Sequence, residues 1–213
     1  MSPVAVLFDL DGVLIDSRVA ITRSLNHGLA AVGAPQRPPA ELERWIGPPL
    51  LEAFAELAGP ERARAGLEAY RDRYATASLE ETLLVPGVAA ALAEVAAAVP
   101  VAVATSKPRA FAVPLCERLG LARHLTAIEG PELDAPHEPK AATVARALAA
   151  LGLAPGADAV LVGDRRHDVE GAHANRIRCA GVLWGIGDRA ELEAAGADAI
   201  VAAPGELAAA LGV

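Results

Sequence analysis

A run of apolar residues, Val4-Ala5-Val6-Leu7-Phe8, ends abruptly in Asp9-Leu10-Asp11-Gly12-Val13. A short apolar run closed by turn residues predicts a strand buried on both faces, the kind a parallel sheet contains. Asp9 then stands at the strand's carboxyl end, where open α/β sheets bind their ligands. Two carboxylates at such a place repel each other and lose hydration, so something must compensate them. Alone, the stretch also fits a loop with two solvated acids. The rest of the chain separates the two readings.

After Asp16-Ser17, either of which can cap a helix, Ile21, Leu25 and Leu29 recur at helical spacing and Gly33 ends the run. Beyond the linker Pro35–Pro39, helical patterns return at Glu41–Trp45, Leu50–Leu57 and Glu61–Tyr74, with the rigid Gly47-Pro48-Pro49 loop between the first two. No strand is expected from Asp16 to Leu84. From Pro86 the pattern alternates: helix Gly87–Ala98, strand Val101–Ala104, helix Pro108–Leu119, a weak strand Leu125–Ile128, helix Lys140–Leu151, strand Ala159–Val162, and a short helix to Asn175. Cys179–Leu183 and Ala199–Val201 are further strands, each followed by a turn and a helical pattern. Alternation of this kind predicts an α/β fold with a doubly wound, Rossmann-like parallel sheet. The block 16–85 is too long for a loop in a compact domain and is read as an all-helical cap domain inserted after the first strand. The catalytic core is then 1–15 with 86–213.

Composition narrows the partners. Hydrophobic residues make up 53% of the chain and aromatics only 3%, so Ala, Val and Leu must fill the core. The formal net charge of −8 argues against nucleic acid or an anionic membrane as the main partner. It does not bar a phosphate ligand, since a bound metal inverts the local sign. Asp9 interrupts the first apolar run and no charged segment precedes it, so no secretory signal is expected. No apolar run reaches the ~18 residues of a membrane span. Cys116 and Cys179 lie far apart without metal-ligand spacing, which suits two buried thiols in a reducing cytoplasm. The chain carries seventeen arginines but only two lysines, Lys107 and Lys140. Lysine retained at two places in an arginine-rich chain points to sites that want a compact charge.

The residues following the strands form a constellation. Asp9 and Asp11 follow the first; Thr105 and Ser106 follow Val101–Ala104; Asp164 and Asp168 follow Ala159–Val162; Lys140 opens a helix. Parallel strands bring their carboxyl ends to one edge, so these groups can converge. A carboxylate at Asp9 can attack phosphorus, and Asp11 can give and take a proton. Thr105 can bond a phosphoryl oxygen and Lys140 can neutralise charge. Asp164 and Asp168 are expected to face the same way if their segment is helical. Four carboxylates around a phosphate dianion demand a cation, and hard oxygen donors indicate Mg²⁺.

Asp9-Leu-Asp11-Gly12-Val13, Thr105-Ser106-Lys107-Pro108, Lys140 and Gly163-Asp164-x-x-x-Asp168 resemble, in order, the signature motifs of the haloacid dehalogenase superfamily. The resemblance covers essentially the whole chain. Within it the chain looks closest to the phosphoglycolate phosphatase-like group, on Arg44-Trp-Ile-Gly47-Pro48-Pro49-Leu50 and Glu132-Leu-Asp134. The resemblance implies Asp9 as nucleophile, Asp11 as acid and base, and Thr105 and Lys140 as their catalytic partners. It implies Mg²⁺ held by Asp9, the Asp11 carbonyl and Asp164, with Asp168 in support. Gly12, Ser106, Lys107 and Gly47 are the expected substrate contacts, with Lys107 an ancillary charge near the phosphate. Dehalogenases of the superfamily lack the second acid, so Asp11 favours phosphoryl transfer. Ser106 departs from the Asn that the nearest relatives often carry, which bears on substrate contacts rather than on the chemistry.

The expected activity is hydrolysis of a small phosphomonoester by a monomer or homodimer. A 5′-nucleotidase-type or phosphotyrosine-type phosphatase of the same family is the alternative. A sugar phosphomutase needs a second phosphate site, and only Arg44 lies near the Gly47 loop. A receiver-like phosphate-binding module would be about half this length and lack the insert. Arg165 and Arg166 are expected in a solvated turn, Trp45 in the core of the helical block, and Asp158 just ahead of a strand. His27, His124, His137, His167 and His173 share no ligand spacing.

Overall fold

The computed structural model describes residues 2–134 and 138–213, so His137 lies outside the described residues. The chain divides into two compact units, one of residues 1–15 with 84–213 and one of residues 16–83.

The first unit is built on a six-stranded sheet. Its strands are β1 (Ala5–Phe8), β4 (Val101–Ala104), β5 (Ala127–Glu129), β6 (Ala159–Gly163), β7 (Arg178–Val182) and β8 (Ala199–Val201). They lie in the order β5-β4-β1-β6-β7-β8, and every pairing is parallel. β1 sits in the middle, with Phe8 opposite Val103 on one side and Val162 on the other. The chain runs outward from β1 through β4 to β5, then returns to continue through β6, β7 and β8. Strand order reverses beside β1, and the carboxyl ends at such a reversal are where open α/β sheets bind ligands.

Around the sheet lie α5 (Val88–Ala98), α6 (Arg109–Arg118), α7 (Lys140–Ala150), α8 (Arg166–Ala174), α9 (Arg189–Ala195) and α10 (Leu207–Leu211). Leu7, Ala102, Leu161 and Cys179 project to one face and pack with Val144, Leu148 and Val169 of α7 and α8. Alternation sends Val6, Phe8, Val101, Val103, Val160 and Val162 to the other face, where all are also buried. Burial on both faces explains why these strands read as continuous apolar runs. Few aromatics are available, so small residues let helices approach the sheet closely.

The second unit is helical: α1 (Arg18–Ala31), α2 (Pro39–Leu42), α3 (Leu50–Ala58) and α4 (Pro60–Glu81). Gly28 of α1 faces the Gly66 carbonyl of α4, with the Phe54 ring against both glycines. Neither position has room for a side chain, so the two backbones meet where neither carries one. Phe54 packs edge-on to Tyr70, and Tyr70 stacks on Tyr74 at 5.2 Å. Arg73 bonds Ser24 at 2.8 Å and Glu81 at 2.8 Å, tying α4 to α1.

One expectation needs correction. The span from Asp16 to Leu84 is not purely helical: β2 (Ile15–Asp16) and β3 (Leu83–Leu84) pair as a two-stranded ribbon where the chain passes between the units. Two residues are too few for a period of two to register in sequence. Among the described residues, no helix is long and apolar enough to cross a membrane.

Candidate active site

Asp9 leaves β1 with its backbone N–H still in the sheet, donating to Val162 O at 2.8 Å. The chain then turns tightly, with Gly12 at φ +84° and its N–H donating to Ile15 O at 2.8 Å. Gly12 is required twice over. Its backbone is left-handed, and a Cβ there would overlap the Asp164 carboxylate.

Lys140, the first residue of α7, brings its ammonium between two acids. Nζ lies 2.7 Å from Asp9 Oδ1 and 2.6 Å from Asp168 Oδ1. Burial acts to lower its proton affinity, but the charges of Asp168 and then Asp9 outweigh it and hold Lys140 above the ordinary lysine value. Gly171 of α8 makes room for the lysine stem, since a Cβ there would stand 2.7 Å from Lys140 Cγ.

Asp164 and Asp168 come together by a route other than the helical face expected of them. Asp164 sits in the turn after β6, ahead of α8, and Asp168 occupies the first turn of that helix. Asp168 reaches back, its Oδ2 accepting from the N–H groups of Asp164 and Arg165, both at 3.1 Å. Asp164 is fully buried; its Oδ2 accepts from Ile186 N–H at 2.6 Å, whereas its Oδ1 is buried with no hydrogen-bond partner. Desolvation, then the charges of Asp168 and Asp9, push Asp164 up to about 8. Burial likewise raises Asp168, against the pull of Lys140.

Thr105 follows β4, with its N–H donating to Glu129 O at 2.9 Å and its Oγ1 accepting from Lys107 N–H at 3.1 Å. Lys107 is itself buried, with Nζ 3.0 Å from Asp11 Oδ2. Its ammonium therefore pairs with Asp11. Ser106 beside it is exposed. Gly47 belongs to the helical unit, in an exposed loop at φ +103° with open space where a Cβ would stand. There Arg44 pairs with Glu56 and lies over the half-buried Trp45 ring at 5.1 Å.

The described residues contain one set of acids whose oxygens approach one another as metal ligands do: Asp9, Asp164 and Asp168, within 4.8 Å. Four carboxyl groups, counting Asp11, meet only two ammonium groups, and one buried carboxyl oxygen has no hydrogen-bond partner. Oxygen donors, that deficit and the orphaned Oδ1 fit a hard divalent cation.

Residues 6–182 match the haloacid dehalogenase-like hydrolase family. The chain belongs to that family. It is 40% identical over 192 residues to a 5′-nucleotidase of Pseudomonas aeruginosa, covering 89% of this chain and 86% of that protein. It is 32% identical to a phosphoglycolate phosphatase of Yersinia pseudotuberculosis, covering 98% and 93% of the two chains. The crystal structure of a predicted phosphatase from Clostridium acetobutylicum superposes with a TM-score of 0.89 at 33% identity, covering 97% of each chain. As a haloacid dehalogenase-like hydrolase with phosphatase relatives along its full fold, this chain is a phosphoric monoester hydrolase.

Other residues around this haloacid dehalogenase-like site were not legible as part of it. Arg165 is not in a solvated turn: its Nε bonds Glu191 Oε1 at 2.9 Å, and the same oxygen accepts from Arg166 N–H. At the opposite edge of the sheet, away from the site, Asp158 does more than precede a strand, pairing with Arg178 at 2.7 Å. Arg146 bonds Glu138 at 2.6 Å and Gly130 O at 3.0 Å, steadying the segment that enters α7 ahead of Lys140. Gly185, Ile186 and Gly187 lie against Asp164 from the turn after β7, and Trp184 beside them bonds Val13 O. The only sequence signal for them was a Gly-x-Gly at the carboxyl end of a strand.

Proposed function

We propose that this chain is a Mg²⁺-dependent phosphatase of small phosphomonoesters that works through an aspartyl phosphate on Asp9. The observation that carries this reading is the buried, unpartnered Asp164 Oδ1 in a site where carboxyl groups outnumber ammonium groups. Asp9, Asp164 and the Asp11 carbonyl would hold the ion, with Asp168 supporting them through Lys140 and the Asp164 N–H. When bound, Mg²⁺ offsets the charge of the phosphoryl oxygens.

An Asp9 oxygen attacks phosphorus, and the bond from phosphorus to the ester oxygen breaks. Asp11 gives its proton to that oxygen, so an alcohol departs. Asp11, now ionised, takes a proton from a water molecule as the water attacks the acyl phosphate. The phosphorus–oxygen bond to Asp9 breaks, and phosphate leaves with Asp9 restored. Lys107 pairs with Asp11, and Lys140 holds Asp9 by one oxygen. Because Thr105 Oγ1 already accepts from Lys107 N–H, its own proton is available to a phosphoryl oxygen.

The substrate proposed first is a small carboxylate-bearing ester of the phosphoglycolate kind. A 5′-nucleotide is the second reading, favoured by the 40% identity to the Pseudomonas protein named 5′-nucleotidase. The helical unit is proposed to act as the cap that selects among esters, with Gly47 contributing to binding. Two buried free thiols suit the cytoplasm.

Turnover of 2-phosphoglycolate, a 5′-nucleoside monophosphate and p-nitrophenyl phosphate, each with Mg²⁺ and with EDTA, tests the reading. EDTA should abolish all turnover, and Asp9→Asn should lower kcat by at least about 10⁴-fold. Undiminished activity in EDTA, or a wild-type rate from Asp9→Asn, overturns it.

A further inference from the structure

The segment Trp184–Asp188 carries no role in the steps above, yet it touches both loops that bear the acids. Ile186 donates its N–H to Asp164 Oδ2 at 2.6 Å. It can do so because both its neighbours are glycines. A Cβ at Gly185 would overlap the Asp164 carboxylate, and one at Gly187 would overlap the Asp164 carbonyl. Neither glycine has a positive φ, so close approach rather than backbone conformation excludes a side chain here. At the start of the segment, the Trp184 indole donates Nε1–H to Val13 O at 3.1 Å, on the turn that follows Asp9 and Asp11. At its end, Asp188 caps α9 by accepting from Glu191 N–H at 2.8 Å. Glu191 in turn holds Arg165 and Arg166, two of the three residues between Asp164 and Asp168, by bonds of 2.9 Å.

From these contacts we propose that the Trp184–Asp188 segment is a positioning clamp that sets how tightly the site binds its divalent cation. By occupying Asp164 Oδ2 it leaves Oδ1 as the oxygen presented. By bridging the Val13 turn and the Arg165 turn it fixes the separation of Asp9 from Asp164. This proposal rests on the metal-dependent reading above. Groups that orient metal ligands typically change metal affinity by about 10- to 100-fold when removed.

Isothermal titration of the metal-free protein with Mg²⁺ tests it, because the fitted stoichiometry and the Kd separate two kinds of damage. A variant that is merely less well folded binds at lower stoichiometry with the wild-type Kd. A variant with a loosened clamp binds at full stoichiometry with a weaker Kd. Trp184→Phe, which removes the N–H and keeps an aromatic ring, should raise the Mg²⁺ Kd about 10-fold. The Mg²⁺ concentration for half-maximal turnover should rise by the same factor, and kcat should fall less. Glu191→Gln should shift the Kd in the same direction, and Gly185→Ala by about 100-fold or more. If Gly185→Ala does not fold, the other two variants still decide. Wild-type Kd values in both Trp184→Phe and Glu191→Gln would overturn the clamp while leaving the metal reading standing. No Mg²⁺ uptake by the wild-type protein would overturn that reading, and the clamp with it.

Discussion

Replacing Lys140 by Met tests how the acids are held together without any ligand. The ammonium lies 2.7 Å from Asp9 and 2.6 Å from Asp168. At an effective dielectric near 20, each pair is worth about 6 kcal/mol before desolvation. Desolvating buried ions returns most of that, and stripping one partner from a buried pair costs roughly 3–5 kcal/mol. The stranded carboxylates can relieve themselves by taking up protons, which places the expected loss near the lower end, about 3 kcal/mol. Lys140 is held above its ordinary proton affinity, so its contribution is complete at pH 7 and fades only as pH rises through that raised value. Urea unfolding at pH 7 in EDTA is the assay. A Trp45→Phe background leaves Trp184 as the sole indole, reporting the sheet unit alone. Lys140→Arg should not rescue turnover, because the Lys140 stem packs against Gly171 and a planar guanidinium cannot replace a point charge. A loss below about 1 kcal/mol in Lys140→Met would refute the view that this lysine holds two buried acids in place.

Glu81→Gln should destabilise the helical unit by about 1–2 kcal/mol at pH 7. Hydrogen bonding to Arg73 holds the Glu81 carboxyl below its usual range, so its stabilisation is present above the ordinary carboxylate value and lost as pH falls through the depressed one. Thermal melts of wild type and variant should therefore converge in strong acid; a constant gap at all pH values contradicts the ion-pair account. Gly12→Ala should cut turnover by about 100-fold or more, since a Cβ displaces the Asp164 carboxylate and small misplacements cost that much. Near-normal Mg²⁺ binding and rate in that variant would show that the turn has more slack than its contacts indicate.

The inner strands of the sheet were legible because they are short and buried on both faces, and the edge strand Ala199–Val201 because its three residues are all apolar. Val101–Ala104 and Ala199–Val201 occupy the span their apolar runs mark out. The long helix α4 runs on to Glu81, past the expected end at Tyr74, because Arg73 and Ser78 continue to find partners there. Partner choice across the fold was not legible. Both lysines stood out against seventeen arginines, yet nothing local assigns Lys107 to Asp11 and Lys140 to Asp9. Those pairings depend on where two separate strands end. Nor does a Gly-Ile-Gly declare that its middle N–H meets a carboxylate 22 positions earlier.

The central place of β1 has a consequence for how the molecule is made. A ribosome emits Ala5–Phe8 before either of its neighbours, yet the strand pairs with Val101–Val103 and with Ala159–Val162. At the usual 5–20 residues per second, roughly 8 to 30 seconds separate the synthesis of Phe8 from that of Val162. The helical unit, a compact body formed by residues 16–83, is fully synthesised before β4 appears. The strand that leads to Asp9 has no partner until β4 is made, and one of its edges stays open until β6 arrives. Nascent chains stalled between β4 and β6 should therefore be the aggregation-prone and chaperone-dependent species.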